Sequence, residues 1–283
     1  MVPLNRFLNE VHQKYHHADF LDSDPLEFVH RYADPADQEV VALIASVLAY
    51  GNVKQIRNSV TDLLSRMGSV AAGPADFVRR LEHDYFRSDA RAKLRGFVHR
   101  FNRGPDLFAL LLLIHRSWRE YGSVGGHFVR GLGEEDRNIA PALNRLIDDW
   151  WKWVGPRPPA SFGYLLTRPA DGSTCKRWNM FLRWMGRKDE LDPGLWTASG
   201  PWASDWKGRH VRSRQLVMPL DTHTGRISQG LGLTKRKSLN WLAAEEVTDS
   251  LRQFDPEDPV RFDFSLCRIG MKEGAKGEVL WQV

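Results

Sequence analysis

The sequence predicts an all-α protein, and three observations carry that prediction. Apolar residues recur at helical spacing in one segment after another, helix-start pairs such as Asp24-Pro25 and Asp34-Pro35 stand in front of them, and strand-like alternation is scarce. At 283 residues the chain can bury a substantial core, in one large domain or two interlocked ones.

Taken in order, the first helix is expected over residues 4–15. Its His12 and His16 form an i, i+4 pair with no third ligand nearby in sequence, which reads as a surface histidine cluster. Asp24-Pro25 starts a short helix that runs to Tyr32. The next helix, over 39–49, is apolar nearly all round (Val40, Val41, Leu43, Ile44, Val47, Leu48) and should be buried. It stops at Tyr50-Gly51-Asn52, a polar corner that is either a plain helix–helix turn or a feature pushed towards a partner. Ile56, Val60, Leu63, Leu64 and Met67 mark one face of the helix that follows. Further helices are expected at 74–84, 89–102 and 106–121, the last made central by the run from Leu110 to Ile114. Residues 122–133 read as a glycine-rich loop with one helical turn. Residues 139–154 read as a tryptophan-ended helix, broken by Gly155-Pro156-Arg157-Pro158-Pro159.

Two segments carry candidate chemistry. A short helix at 162–166 leads into a tight hairpin at 168–174, and a new helix opens with Lys176 in its first turn. Trp178, Phe181, Leu182 and Met185 form the core face of that helix, while Lys176, Met180, Arg183 and Arg187 lie on another. Free backbone N–H groups and the positive end of the helix dipole attract phosphate there, so Lys176 serves either as a phosphate contact or as an amine nucleophile. The apolar approach from Leu216 to Leu220 then sets Asp221 as N-cap of a helix carrying Ile227 and Leu231. A capping carboxylate accepts backbone N–H bonds and stays ionised. It either caps and nothing more, or also stabilises a developing sugar cation, as in glycoside hydrolysis.

Composition narrows the partners. The chain carries 40 basic against 35 acidic residues, a net charge of +5. Basic clusters at 207–214 and 234–237 bracket the aspartate segment, which suits a polyanionic substrate. Two cysteines, Cys175 and Cys267, cannot make a disulfide framework or a four-cysteine zinc or iron–sulfur site. The N-terminus leads into no apolar signal segment and the apolar run at 107–114 is too short to span a bilayer, so a cytoplasmic protein without a membrane partner is expected.

These segments resemble the helix–hairpin–helix family of DNA glycosylases, in order and over about residues 39–270. The buried helix ending in Tyr50-Gly51-Asn52-Val53-Lys54-Gln55 resembles the family's DNA-wedge corner, so that Tyr50, Gly51, Asn52, Val53 and Gln55 would contact DNA. Gly172-Ser173-Thr174-Cys175-Lys176 is similar to the hairpin and its Schiff-base lysine, and Asp221-Thr222-His223-Thr224-Gly225-Arg226 to the start of the catalytic aspartate's helix. Gly172, Ser173, Thr174, His223 and Arg226 would then touch DNA.

The resemblance implies two interlocked helical domains with the helix–hairpin–helix element and an active-site cleft between them. The expected bounds are N-terminal helices over 1–38 packing with the C-terminal part, a helical domain over 39–188, a tryptophan-rich basic insertion over 189–214, and a C-terminal helical part over 215–283. A lysine at 176 is similar to the bifunctional members, and the missing cysteine cluster leaves the 8-oxoguanine glycosylases, including the archaeal type, as nearest. Met180, Asp263, Cys267, Trp178 and Pro219 would contact the extruded base. No cofactor or metal is implied. The expected partner is double-stranded DNA containing a damaged base, bound by a monomer in the nucleoid.

The alternatives are a monofunctional glycosylase for alkylated purines and a non-catalytic helical protein that binds DNA or RNA. Two departures from the family pattern stand out. Ser173-Thr174 replaces the usual second glycine, and the extra length at 189–214, with Trp196, Trp202 and Trp206, is expected either to cover the pocket or touch DNA, or to pack upon itself.

Overall fold

Six polar residues, Asp24, Asp34, Asn52, Ser123, Asp221 and Asn240, each turn a side-chain oxygen onto a backbone N–H two or three residues ahead, and each starts a helix. The computed structural model describes residues 3–272 and is almost entirely helical. Helix α1 (Leu4–Tyr15) is followed by two 3₁₀ segments (Ala18–Ser23 and Pro25–Arg31), α2 (Pro35–Val47), α3 (Val53–Gly68), α4 (Pro74–Arg80) and α5 (Asp84–Leu94). A minimal antiparallel pair, β1 (Val98–His99) and β2 (Asn102–Arg103), leads into α6 (Gly104–Tyr121), α7 (Val124–Val129) and α8 (Ala140–Val154). After single 3₁₀ turns come α9 (Lys176–Gly186), α10 (Thr222–Gly230), α11 (Trp241–Arg252) and α12 (Asp263–Lys272). Among the described residues no helix is long and apolar enough to cross a membrane.

Helices α2 and α9 pack against each other at the centre. Every residue of α2 from Glu39 to Val47 is buried, as are all of α9 from Arg177 to Gly186. The one carboxylate in the α2 run, Glu39, is fully buried and fully used. Its Oε1 accepts from Gly125 N (3.0 Å) and Trp196 Nε1 (2.9 Å), its Oε2 from Trp118 Nε1 (2.7 Å) and Val124 N (3.0 Å). Burial pushes the carboxyl up, with the four donors acting against it.

Several expectations need correction. No residue of the segment 189–214 lines the cleft, and its tryptophans pack on the rest of the protein as well as on one another. Trp196 is buried between Phe128 and Phe181 with its N–H on Glu39, and Trp206 is buried too, so these indoles belong to the core. The expected helix over 89–102 begins earlier, at Asp84, and ends at Leu94. Beyond Gly96 the chain turns through a left-handed Arg100 (φ 52°) and pairs with itself. Gly104 allows α6 to start against the end of α5, since a Cβ there would lie 1.9 Å from the Leu94 carbonyl oxygen. The expected helix over 162–166 is only a 3₁₀ turn, because Leu165 N and Leu166 N bond three residues back and the Leu165 carbonyl also accepts Trp178 Nε1.

The histidines of α1 are not a surface cluster either. His16 is buried with its Nε2 2.5 Å from Asp189 Oδ2, and its ring is 4.4 Å from that of His12. Burial, and then His16, lower His12 to about 4. These contacts, with α1 on α12 and Arg268 2.9 Å from Asp24, tie the N-terminal segment to the C-terminal helix.

Candidate active site

Three helix ends and one helix face converge on a cleft of about 610 Å³. The C-terminal end of α2 delivers Ala49, Tyr50 and Gly51, while α9 delivers Lys176, Met180 and Arg183. The N-terminus of α10 delivers Pro219, Asp221 and His223, and α12 delivers Asp263 and Cys267.

Asp221 caps α10 with one oxygen. Its Oδ1 accepts from His223 N (2.8 Å), Thr224 N (3.0 Å) and Thr224 Oγ1 (3.2 Å), and Thr224 Oγ1 accepts in return from Asp221 N (2.8 Å). Its Oδ2 faces Lys176 Nζ at 3.7 Å, and that amine also donates to the Ala49 carbonyl at 3.4 Å. Burial works to raise the carboxyl, but Lys176 and the capping N–H groups outweigh it and hold Asp221 below the ordinary aspartate value. The cleft therefore holds an ionised carboxylate beside a primary amine, each about a quarter to a third exposed.

The floor is formed by a buried ionic cluster. Arg183 of α9 bonds the Asp263 carboxylate of α12 and lies 3.2 Å from Asp192. Burial pushes Asp263 up to about 6, with Arg183 pulling the other way. Beside it, burial pushes the Cys267 thiol up to about 12, so the sulfur is neutral. Met180 completes an apolar and soft-sulfur flank.

The mouth is aromatic. The Tyr50 hydroxyl has two acceptors in reach of its single proton, Asn102 Oδ1 (2.7 Å) and the His99 carbonyl (3.0 Å), and its ring stacks on Phe101 and meets Tyr164 edge-on. Arg177 lies over both tyrosines and bonds the carbonyls of Val47 and Tyr164, which pins the end of α2 to the turn before α9. The turn is left-handed at Gly172 (φ 74°) and again at Cys175 (φ 50°), immediately before Lys176.

Most of the residues singled out from the sequence thus meet in one cleft: Lys176, Asp221, Met180, Asp263, Cys267 and Pro219, with Tyr50, Gly51, Val53, Ser173, Thr174 and His223 around the mouth. Trp178 is a correction. It is fully buried, packs edge-on against Trp150 and gives its N–H to the Leu165 carbonyl at 3.1 Å, so it is a core residue unable to meet a ligand in the cleft. Asn52, Gln55, Gly172 and Arg226 are exposed and do not line the cleft, and Asn52 instead caps α3 through Lys54 N. The basic clusters at 207–214 and 234–237 also stand outside it, with Arg212 paired to Glu134 and Arg236 to Glu246.

Sequence reasoning missed Asp24, Tyr164, Arg177 and Arg183 as cleft residues. Arg183 had a signal, since it shares the helix face of Lys176. Among the described residues no group of three His, Cys, Asp or Glu side chains could hold a metal ion.

An all-α frame that presents a lysine–aspartate pair in a polar cleft is the class of protein this structure defines. The chain belongs to the DUF2400 family of proteins of unknown function, whose profile matches residues 24–272. No curated protein and no solved structure matches it.

Proposed function

We propose that the protein is a bifunctional DNA glycosylase and AP lyase that removes an oxidised purine, 8-oxoguanine first among them. The observation that carries this reading is the Lys176 amine 3.7 Å from an ionised Asp221 in a cleft large enough for one extruded nucleotide. In this reading the turn at 168–174 and α9 form a helix–hairpin–helix element, with the left-handed task of a second glycine falling to Cys175, and the cleft lies between two interlocked helical domains.

Duplex DNA is held by phosphate contacts from Ser173, Thr174 and His223, while the Tyr50–Val53 corner fills the gap left by the extruded nucleotide. Met180 and Cys267 flank the base, and Asp263 accepts an N–H that oxidation has created. Asp221 stabilises the positive charge developing on the sugar. The Lys176 nitrogen bonds to C1′ as the base departs with the glycosidic electron pair and takes up a proton. The sugar opens to an imine, loss of the C2′ proton breaks the bond to the 3′ oxygen, and the strand is nicked. The partner is lesion-containing DNA in the nucleoid, bound by a monomer.

Borohydride trapping on end-labelled duplexes tests this. A covalent adduct with 8-oxoguanine, absent with uracil, alkylated purine and undamaged controls, is the expected result. Base release without an adduct would turn the reading to a monofunctional glycosylase. Tight binding with no release from any lesion would leave a nucleic-acid-binding protein.

A further inference from the structure

A second concavity, about 690 Å³ and sharing no residue with the cleft, lies between α5, α6 and the end of α8. Its rim is made of arginine. Arg87, Arg91 and Arg95 follow one another at four-residue spacing along α5, Arg116 and Arg119 face them from α6, and Arg157 comes from the segment after α8. Few carboxylates answer this charge. Asp84 pairs with Arg87 at 2.8 Å, and Glu120 is shared by Arg116 (2.7 Å) and Arg119 (3.7 Å). Arg91, Arg95 and Arg157 have no carboxylate partner among the described residues.

Beneath the rim the surface is apolar and aromatic. The Arg91 guanidinium lies 4.8 Å over the Phe108 ring, and that of Arg116 lies 4.4 Å over Trp153. Leu112 and Leu113 continue the floor. The β1–β2 turn adjoins both the groove and the cleft, leading directly into Gly104 of the groove and packing on the cleft mouth. Its Phe101 is 52% exposed and stacked on Tyr50 of the cleft mouth, with Arg100 and Arg103 exposed on either side of it.

A polyanion is required to neutralise the rim. A duplex keeps its bases paired inside, so it could meet the arginines and still leave the floor against water. An acidic peptide offers carboxylates but no flat π-faces for the guanidinium planes. An unpaired strand supplies both, with phosphates for the rim and bases that stack on the outer faces of the guanidinium planes held over Phe108 and Trp153. We infer that this groove binds an unpaired nucleic-acid strand, which reaches the cleft mouth across Phe101. The inference stands apart from the imine chemistry, since a protein that traps no lesion can still bind a strand here.

The test is fluorescence anisotropy with a 5′-labelled oligothymidylate of about 12 nucleotides, within the length one such surface covers, titrated over salt. The wild-type chain is compared with the triple variant Arg91→Gln/Arg95→Gln/Arg157→Gln. Single-strand Kd should rise by at least about tenfold, and the salt slope should flatten by about 2, close to 0.7 for each phosphate no longer neutralised. Blunt-duplex affinity and lesion trapping should stay at the wild-type level, because none of the three arginines lines the cleft. An unchanged single-strand Kd and slope would overturn the inference. So would an equal loss of duplex affinity, or displacement of the oligonucleotide by an oligoglutamate peptide of matched charge at equal concentration.

Discussion

The Lys176 amine faces the one oxygen of Asp221 that the backbone leaves free: Oδ1 carries the helix cap, and Oδ2 lies 3.7 Å from Nζ. Capping and chemistry are thus divided between two atoms of one carboxylate. Removing the amine should therefore abolish the covalent step without loosening α10. Lys176→Gln is expected to lose borohydride trapping and strand nicking completely while duplex affinity stays close to wild type. Trapping that persists in the variant would take Lys176 out of the mechanism.

Asp221→Asn tests the other half of the pair. Asparagine caps a helix about as well as aspartate, so stability should change by less than about 1 kcal/mol. The charge opposite the sugar is lost, and loss of such a stabilising group costs on the order of 10²–10³ in rate. Single-turnover base release should slow by that factor with little change in lesion affinity, and urea melts should superimpose within error. Asp221→Ala should slow release similarly and also lose about 1 kcal/mol of stability with the cap. A fully active Asp221→Asn protein would remove the carboxylate from the reaction.

The pH dependence separates the two cleft aspartates. Asp221 is held below 3.8, so it is ionised throughout the neutral range, and the stability it contributes is lost only as pH falls below that value. Asp263 is shifted the other way, to about 6, by burial. Its neutral form is favoured in the fold, so its contribution to stability grows as pH falls from about 6 towards 3.8. If base recognition needs the ionised Asp263, base release should rise with pH through about 6. Asp263→Asn should remove that limb and, because the fold favours a neutral side chain there, cost little stability at neutral pH, with Asp192 still 3.2 Å from Arg183. A limb near 6 that survives in Asp263→Asn would belong to another group.

How much of this was legible in the sequence follows the range of the interactions. Helix starts at Asp24, Asp34 and Asp221 were readable because a cap and its N–H partner lie two or three residues apart. The cleft residues of α9 and α10 were readable because they stand at helix beginnings. Trp178 was legible as core from its helical spacing with Phe181, Leu182 and Met185, and only the base contact drawn from the resemblance went astray. Arg183 was overlooked because the acids around it, Asp192 and Asp263, arrive from other segments. For Trp196 the sequence left packing and pocket cover open, because its partners Phe128, Phe181 and Glu39 all come from distant segments. The strands β1 and β2 are two residues each, too short to show any alternation. The arginine groove escaped notice because its members come from three elements, with no single dense run in the sequence.

Glu39 supplies the sharpest test of the fold around the site. It ties α2 to α6, α7 and the 189–214 segment through two donors on each oxygen. Glu39→Ala would bury four N–H donors without a partner. At about 1–3 kcal/mol each the loss is at least about 4 kcal/mol, a large share of the roughly 5–15 kcal/mol that holds a domain together. That variant should be unfolded or insoluble at ambient temperature. Glu39→Gln keeps one acceptor oxygen and turns an NH₂ towards the other two donors, so it should fold with a clearly lower urea midpoint. Tryptophan fluorescence reports the event directly, because Trp118 and Trp196 are themselves two of the donors. An alanine variant that melts within about 1 kcal/mol of wild type would mean that these donors find water or new acceptors. The end of α2, with the Ala49 carbonyl that receives Lys176, would then be positioned by packing alone.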